Sequence, residues 1–327
     1  MFNRRKLLGA AAVAVAAIGL GLPAMAQDKQ KLRFSAVFSE QDIRADMMKQ
    51  FAEAIGDNYE MELYYGGTLF KQTTEIIAIQ RGNLEMGNVA PQDIATQIPA
   101  FSILTSAYLF RDAAHMRDFF KSEAGAEMKA LAEEQLGIHI LGPTYFGTRQ
   151  VGLNIDKEIK TPADMSGVKL RMPGGDAWQF LGQSLGANPT PMAYAEVYTG
   201  LQTGAIDGQD NPLPNVENMK FYEVMKQIAM TSHLVGYDLL VISKGVWDEM
   251  TPEQQTAFQA AADAAIDWSQ AEHLKQEEEL AKSFAERGLN VYTPDLDAFR
   301  THAQQMYLDS DISADWPEGM LDRINAM

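Results

Sequence analysis

Apolar residues recur at two spacings along the first part of the chain, and each spacing is typical of one type of element. Residues 31–38 and 59–65 have the apolar pattern of strands. The segment between them, 40–55, has apolar side chains three and four positions apart, as on one face of a helix. A helix over 71–81 and a short strand over 84–89 follow. This alternation predicts an α/β fold with a mainly parallel sheet.

The same alternation resumes after residue 110 and predicts a second α/β unit. The predicted elements are strands over 139–143, 147–154, 168–172 and 238–243, one or two helices over 111–135, and a helix over 176–185. Thr251 and Pro252 begin a helical pattern that continues to Arg287, and Gly288 follows it. This stretch is far longer than a usual helix. Two interpretations stay open: one helix that contacts both units, or two helices with an unmarked break.

A short pattern occurs in both units. The segments 75–85 (EIIAIQRGNLE) and 196–207 (EVYTGLQTGAID) each read as a helix, a glycine and the start of a strand. Gly82 and Gly204 suit the left-handed residue that ends a helix. Small or polar residues follow each strand, as GNVAP and GQDNP. Because ligands bind beyond the carboxyl ends of such strands, the repeat suggests a cleft between two units, unless the likeness is chance.

The N-terminus has the three regions of a secretory signal peptide. Arg4, Arg5 and Lys6 precede an uncharged apolar run over 7–22, and Ala24-Met25-Ala26 provides small residues for cleavage. We expect residues 1–26 to be removed and the mature chain to be periplasmic. The paired arginines fit twin-arginine export, and ordinary Sec export stays open. A membrane anchor is the alternative, although the run is short for a span.

Composition excludes several classes of protein. The net charge of −17 becomes −20 without the leader, which disfavours nucleic-acid partners. The absence of cysteine excludes disulfides, iron–sulfur clusters and thiol catalysis. No pair among the five histidines has helical ligand spacing, and phosphate-loop, dinucleotide and nucleophile-elbow motifs are missing from the sequence. We therefore expect no metal, no cofactor and no enzymatic activity. His233 is interpreted as a structural hydrogen-bonding residue, and the acidic run 277–279 as a solvated helix face.

Two arginines are the best candidates for binding chemistry. Arg171 lies in GVKLRMPGGDAW, at the end of a predicted strand and before a Pro-Gly-Gly turn. A guanidinium there can bind a carboxylate through two parallel hydrogen bonds. Arg149, in FGTRQVGLN, is a second charged residue within a strand-like stretch. For both, an ordinary ion pair with one of the many acidic residues is the alternative.

Several motifs resemble those of one known family. They are GTRQ at 147–150, GVKLRMP at 167–173, ANPTPMAYAEVYTGLQTGAIDGQDNPL at 187–213 and KFYEV at 220–224, with a weaker match over 66–90. With these motifs the chain resembles the periplasmic solute-binding proteins of tripartite ATP-independent periplasmic (TRAP) transporters. The resemblance covers nearly all of the mature chain.

The resemblance implies a two-lobed periplasmic binding protein fold, with a hinge, a long helix spanning both lobes and a ligand cleft between them. Lobe I is expected to comprise 27–146 and 237–276, and lobe II 147–236 and 277–327. The resemblance also implies that the protein captures an organic acid and delivers it to a TRAP membrane permease, which uses an ion gradient.

Ligand-binding residues follow from the same resemblance. Arg171 matches the family's carboxylate-clamping arginine, and Arg149 matches a second arginine of sialic-acid-binding members. Asn211 in GQDNP matches an asparagine that bonds the same carboxylate, and Tyr194 an aromatic position against the ligand. Gln72 falls near a contact of the first lobe.

Two acidic residues complete the predicted site. Asp210 is carried to the strand edge beside Asn211, and it stands where the family commonly has glutamate. Asp176 follows the Pro-Gly-Gly turn, where it bonds ligand hydroxyls or caps a helix. Trp178, near Asp176, suits an apolar sugar face or core packing. The set favours a sugar acid such as a hexuronate; a small dicarboxylate or 2-oxo acid, a sensory binding module and an exported enzyme stay open.

Overall fold

The computed structural model describes residues 29–327, and the predicted signal peptide lies outside the described residues. Nine strands are present in this part of the chain. They are β1 (Gln30–Ser35), β2 (Tyr59–Tyr64), β3 (Met86–Val89), β4 (Ile138–Leu153), β5 (Lys169–Met172), β6 (Asn188–Pro191), β7 (Gly208–Pro212), β8 (Gln227–Ser243) and β9 (Asn290–Tyr292). In the same residues, no helix is long and apolar enough to cross a bilayer.

Twelve α-helices accompany these strands in the described residues. They are α1 (Ile43–Ile55), α2 (Glu75–Gln80), α3 (Pro91–Ala95), α4 (Ala113–Lys121), α5 (Glu123–Leu136), α6 (Asp176–Ser184), α7 (Val197–Thr203), α8 (Leu213–Asn218), α9 (Lys244–Asp248), α10 (Pro252–Glu286), α11 (Leu296–Leu308) and α12 (Met320–Asn325). The predicted helical stretch 111–135 is two helices, because Ser122 ends α4 and caps α5.

The strands form a mixed sheet in the order β2-β1-β3-β8-β4-β7-β5-β6, and β9 also pairs with β8. Parallel pairs occupy the two outer parts, namely β1 with its neighbours and β5 with its neighbours. The central pairs β3–β8, β8–β4 and β4–β7 are antiparallel, whereas the short β9 runs parallel to β8. The predicted parallel sheet is therefore correct for each outer part and wrong for the centre.

Two long central strands connect the outer parts. β4 has 16 residues and β8 has 17, and they pair along their whole length. The sequence predicted two separate strands where β4 is continuous, and it missed the first half of β8. Their register shifts at three points, between Ile140 and Gly142, Tyr145 and Gly147, and Arg149 and Val151. Such bulges bend a strand, which hides its continuity from a simple alternating pattern.

The C-terminal helical stretch is one helix, α10, of 35 residues. Thr251 and Gln254 form a capping box at its start, with Pro252 in the first turn. Phe258 packs in the core beside α1, whereas Phe284 packs in a core beyond β7. The helix therefore spans both halves, as the resemblance implied.

Glu277, in the middle of α10, differs from the prediction of a solvated face. Its carboxylate accepts hydrogen bonds from the Tyr145 hydroxyl and the Thr148 amide, on the bulged part of β4. Glu278 and Glu279 are exposed, as predicted. The acidic run thus has two environments, because consecutive positions of a helix point in different directions.

Hydrophobic cores lie on both sides of the central strands. Two pack around β1, β3 and α4, and two around β5, β7 and α6. Met320 and Ile324 of α12 lie in the core of α4 and α5, although 277–327 was assigned to lobe II. The lobe boundaries otherwise stay a prediction.

Candidate functional site

A cavity lies where the two halves meet, and its free volume within the described residues is only about 50 Å³. Its walls come from loops and strand ends of both halves, and three arginines and three acidic residues stand among them. The lining residues are Val37, Phe38, Arg44, Gln72, Glu75, Asn88, Ala90, Asp93, Phe146, Arg149, Arg171, Pro173, Trp178, Tyr194, Asn211, Asn215 and Asp238. Several charged and polar side chains that converge on one cleft suit a small polar ligand.

Arg171 lies on β5 and is only 1% exposed. Its Nε donates to the Met192 carbonyl at 2.8 Å, and its Nη2 donates to Gln72 Oε1 at 3.1 Å. Among residues 29–327, no carboxylate forms an ion pair with it. Burial, followed by the nearby charge of Arg149, lowers the pKa of Arg171 to about 9. The guanidinium is thus a buried cation whose charge the described protein residues leave uncompensated.

Arg149 lies on β4 and is also buried, but it has an acidic partner. Its Nε donates to Asp210 Oδ1 at 2.7 Å, and its Nη2 donates to the Asp210 carbonyl. The guanidinium carbon lies 4.9 Å from the Trp178 ring centre. His233 Nε2 also contacts Asp210 Oδ1, at 3.1 Å. Although Asp210 is buried, Arg149 and His233 hold its pKa well below the usual range.

The segment 191–213 brings polar side chains to the cavity by a compact route. Helix α7 ends at Gly204, whose φ of 72° is left-handed, and β7 begins four residues later. All of β7 is buried, and Pro212 caps α8 directly after it. Asn211 lines the cavity, and its Nδ2 donates to Gln209 Oε1 at 2.6 Å. The predicted helix–glycine–strand arrangement is therefore correct.

Tyr194 and Gln72 connect the two walls beside Arg171. The Tyr194 amide donates to Gln72 Oε1 at 3.0 Å. The Tyr194 hydroxyl accepts from Asn215 Nδ2 at 2.9 Å, and the Arg171 guanidinium carbon lies 5.8 Å from the tyrosine ring centre. One carboxamide oxygen thus accepts hydrogen bonds from two groups of the opposite wall.

Five of the seven predicted site residues line the cavity: Arg171, Arg149, Asn211, Tyr194 and Gln72. The other two do not. Asp210 lies behind Arg149 and orients it. Asp176 is exposed at the start of α6, in a separate depression beside Thr96, and Gly175 rather than Asp176 is the N-cap.

A buried polar network in the first half was missed by sequence analysis. Arg44 on α1 donates to both carboxylate oxygens of Asp42 at 2.9 Å, and to Asp238 Oδ2 at 2.8 Å. Its guanidinium also lies between the rings of Phe38 and Phe146. Asn88 donates to Asp238 at 3.0 Å. Of these residues, only Asn88 could have been suspected from the sequence. It lies in GNVAP, the polar segment that follows the first helix–glycine–strand repeat.

Glu75 and Asp93 were missed as well. They lie on α2 and α3 and are 3% and 8% exposed. Burial, with a contribution from nearby carboxylates, raises the pKa of Glu75 to about 8 and that of Asp93 to about 7. Nothing in the sequence distinguishes either acid from an ordinary exposed helix acid.

Comparisons with known proteins agree with this architecture. Residues 35–312 match the sequence profile of DctP, bacterial extracellular solute-binding protein family 7. The sialic acid-binding periplasmic protein SiaP of Vibrio cholerae is 30% identical, over 86% of this chain and 87% of its own. The 2,3-diketo-L-gulonate-binding periplasmic protein YiaO of Escherichia coli is 31% identical, over 82% of each chain.

A solved structure is similar over almost its whole length. It is a TRAP periplasmic solute-binding protein of Roseobacter denitrificans with bound 3-deoxy-D-manno-oct-2-ulosonic acid (KDO). The identity is 47% and the TM-score 0.90, over 91% of this chain and 99% of that one. The chain therefore belongs to the DctP family of extracellular solute-binding proteins, which serve TRAP transporters, as its motifs predicted.

Proposed function

We propose that this protein captures a sugar acid in the periplasm and delivers it to a TRAP-type membrane permease. The ligand class is a hydroxylated monocarboxylate, such as KDO or a hexuronate. Three similar proteins carry names or titles that specify sugar acids: sialic acid, 2,3-diketo-L-gulonate and KDO. The proposal includes export by the signal peptide and a role in binding without turnover.

The observation that carries this proposal is the uncompensated charge of Arg171. A buried cation without a carboxylate partner is costly, and a ligand carboxylate would relieve that cost. The free edge of a guanidinium fits a carboxylate through parallel hydrogen bonds. Asn211, Tyr194 and Arg149 line the same cavity and would orient the ligand's head group.

A dicarboxylate is less well supported, because the other two cavity arginines have acidic partners. Arg149 pairs with Asp210, and Arg44 pairs with Asp42 and Asp238. A second ligand carboxylate would therefore meet no uncompensated cation among the lining residues. This charge balance favours one carboxylate and a neutral, polar remainder.

Capture would involve closure of the two halves around the ligand. The cavity is bounded by both halves, and β4, β8 and α10 each extend from one half into the other. Bending at the bulges of β4 and β8 would open the cleft for entry and release. The closed form would then be the one that the permease recognises.

The test is a ligand screen with the mature chain, residues 27–327. Thermal unfolding is followed with KDO, D-glucuronate and D-galacturonate, and with succinate and 2-oxoglutarate as dicarboxylates. A ligand at 100 times its Kd stabilises a protein by about 2.7 kcal/mol. We expect stabilisation by at least one sugar acid, and chromatography should recover that acid unchanged. Stabilisation by the dicarboxylates alone, or conversion of the sugar acid, would contradict the proposal.

A further inference from the structure

Two acidic side chains in the cavity have oxygen atoms without a partner. Among residues 29–327, Glu75 Oε1 and Asp93 Oδ1 accept no well-formed hydrogen bond, and both atoms are buried. Both residues line the cavity, and neither forms an ion pair with Arg171. Because buried polar atoms in folded proteins nearly always have a partner, these two oxygens point to a ligand group.

The charges of the surrounding groups indicate what kind of group that is. Arg44 faces the acids from α1, but Asp42 and Asp238 compensate it. Arg149 and Asp210 likewise compensate each other. Only Arg171 remains, and the proposed function assigns it to the ligand carboxylate. An ionised Glu75 or Asp93 would then add uncompensated negative charge to a cavity that holds an anion.

A protonated carboxyl group avoids this repulsion, and it can donate a hydrogen bond as well as accept one. It donates one hydrogen bond through its O–H and accepts others through its carbonyl oxygen, as a hydroxyl group also does. Burial raises the pKa of both acids, which favours the protonated form. Asn215 Oδ1 and Trp178 Nε1 are also buried in this cavity without a well-formed hydrogen bond among residues 29–327, and Trp178 lies beside Asp93, whose pKa it lowers slightly against the effect of burial. They add a donor and an acceptor.

We propose that Glu75 and Asp93 are specificity-determining residues, whose carboxyl groups hydrogen-bond hydroxyl groups at the end of the ligand remote from its carboxylate. This inference rests on the proposed function and adds a reason for the sugar-acid preference. It assigns the head group to Arg171 and the hydroxylated tail to α2 and α3. The specificity of the site would then depend on residues outside the sequence motifs of the second half.

The experiment distinguishes the contacts made by the hydroxylated end of the ligand from those made by its carboxylate. Glu75→Met and Asp93→Leu remove the hydrogen-bonding atoms, and Glu75→Gln and Asp93→Asn keep part of them. Calorimetric titration is done with KDO, D-glucuronate and D-galacturonate, and with pyruvate, which has a carboxylate but no hydroxyl group. For the sugar acid that the unsubstituted protein binds most tightly, we expect the apolar variants to lose on the order of 10-fold in affinity. Pyruvate binding should change less than 2-fold.

Controls keep the result interpretable. Glu53→Met and Asp118→Asn change exposed acids on α1 and α4 and should leave sugar-acid affinity unchanged. Unfolding temperatures without ligand identify variants that fail to fold, and the amide variants then carry the test with a smaller loss.

Three outcomes would overturn the inference. One is unchanged sugar-acid affinity in folded apolar and amide variants. Another is an equal loss for pyruvate and the sugar acid, which would indicate a general distortion of the cavity. The third is tighter binding of a zwitterion such as 4-aminobutyrate, which would assign the two acids to an ammonium group. If Arg171→Ala abolishes binding in these cases, the proposed function stands; if none of the three sugar acids binds, both proposals fail together.

Discussion

Gln72 Oε1 accepts a hydrogen bond from Arg171 Nη2, at 3.1 Å, across the cleft between the two halves. Gln72 precedes α2 in the first half, and Arg171 lies on β5 in the second. The same oxygen accepts from the Tyr194 amide. The contact therefore joins the two walls beside the cation that we assign to the ligand.

Gln72→Ala should weaken ligand binding without removing the head-group cation. The substitution leaves Arg171 Nη2 and the Tyr194 amide without this acceptor in the closed form. A hydrogen bond to a charged group is worth about 1.5 kcal/mol, so affinity should fall roughly 10-fold. Calorimetric titration with the sugar acid measures it. Gln97→Ala, at an exposed position, is the control, and equal affinity of both variants would show that the bridge does not contribute.

Arg171→Ala should nearly abolish binding, and Arg171→Lys should not restore it. Loss of one partner of a buried charge pair costs about 2–5 kcal/mol. Lysine keeps the charge but lacks the planar fork that reaches Met192 and Gln72 together. Titration of both variants with the sugar acid, beside the exposed-site control Arg81→Lys, measures the effect. Retention of affinity by the lysine variant would mean that charge alone suffices.

Asp210→Asn should destabilise the fold as well as the site. Asp210 is fully buried and pairs with Arg149 and His233. Breaking a buried ion pair costs about 3–5 kcal/mol, which urea unfolding at pH 7 should detect, with Asp118→Asn as the exposed control.

The effect of Asp210→Asn should depend on pH in a defined direction. Because Arg149 and His233 lower the pKa of Asp210 in the folded protein below its unfolded value of 3.8, its stabilising contribution is present above that value. It is lost as the pH falls further. The difference between the two proteins should shrink at acidic pH, and a constant difference would contradict the ion-pair role.

Much of the second half could be predicted from sequence, because its elements are short and end at recognisable residues. Gly204 and Pro212 delimit α7 and β7 as expected, and the motif around Arg171 leads to the buried cation. The long strand β4 was divided into two, because its bulges interrupt the alternation that sequence analysis relies on.

The first-half wall of the cavity could not be predicted, since its chemistry depends on tertiary burial. Glu75 and Asp93 are acids on short helices, and these helices pack against elements that are distant in sequence, β8 for α2 and α6 for α3. Arg44 is one of many arginines until Asp42 and Asp238 are seen beside it. Asp176 is the opposite case. It was predicted to be a site residue because it follows the Arg171 motif, but it lies outside the cavity.

Gly147→Ala should destabilise the bend of β4. Gly147 has a φ of 115°, which is unfavourable for other residues, and a Cβ there would lie 2.6 Å from Pro212 Cβ. We expect a loss of about 2–3 kcal/mol in the free energy of unfolding, measured with urea. Gly245→Ala is the control, because its nearest atom would be 3.7 Å away. Equal stability of the two variants would show that the bend tolerates a side chain.

Ligand affinity should fall as the pH rises from 6 to 9. Burial raises the pKa of Glu75 to about 8 and that of Asp93 to about 7, so both carboxyl groups lose their protons in this range. The charged groups that face them are Arg44 on α1, Asp238 on β8 and Arg171 on β5, with Arg149 on β4. Ionisation would place negative charge opposite an anionic ligand and remove the donated hydrogen bonds. Because the pKa of Arg171 is lowered to about 9, loss of its charge contributes near pH 9, so the fall between pH 6 and 8 is the part assigned to the two acids.

The stability of the unliganded protein should fall over the same range. The folded pKa values lie above the unfolded values of 4.5 and 3.8, so the folded state binds more protons at intermediate pH. The resulting stabilisation is complete below the unfolded values and is lost as the pH rises through 7 and 8. Titrations and urea unfolding at pH 6, 7, 8 and 9 measure both effects. The double variant Glu75→Gln with Asp93→Asn cannot ionise and should show a flatter profile; an equally steep profile would assign the pH dependence to other groups.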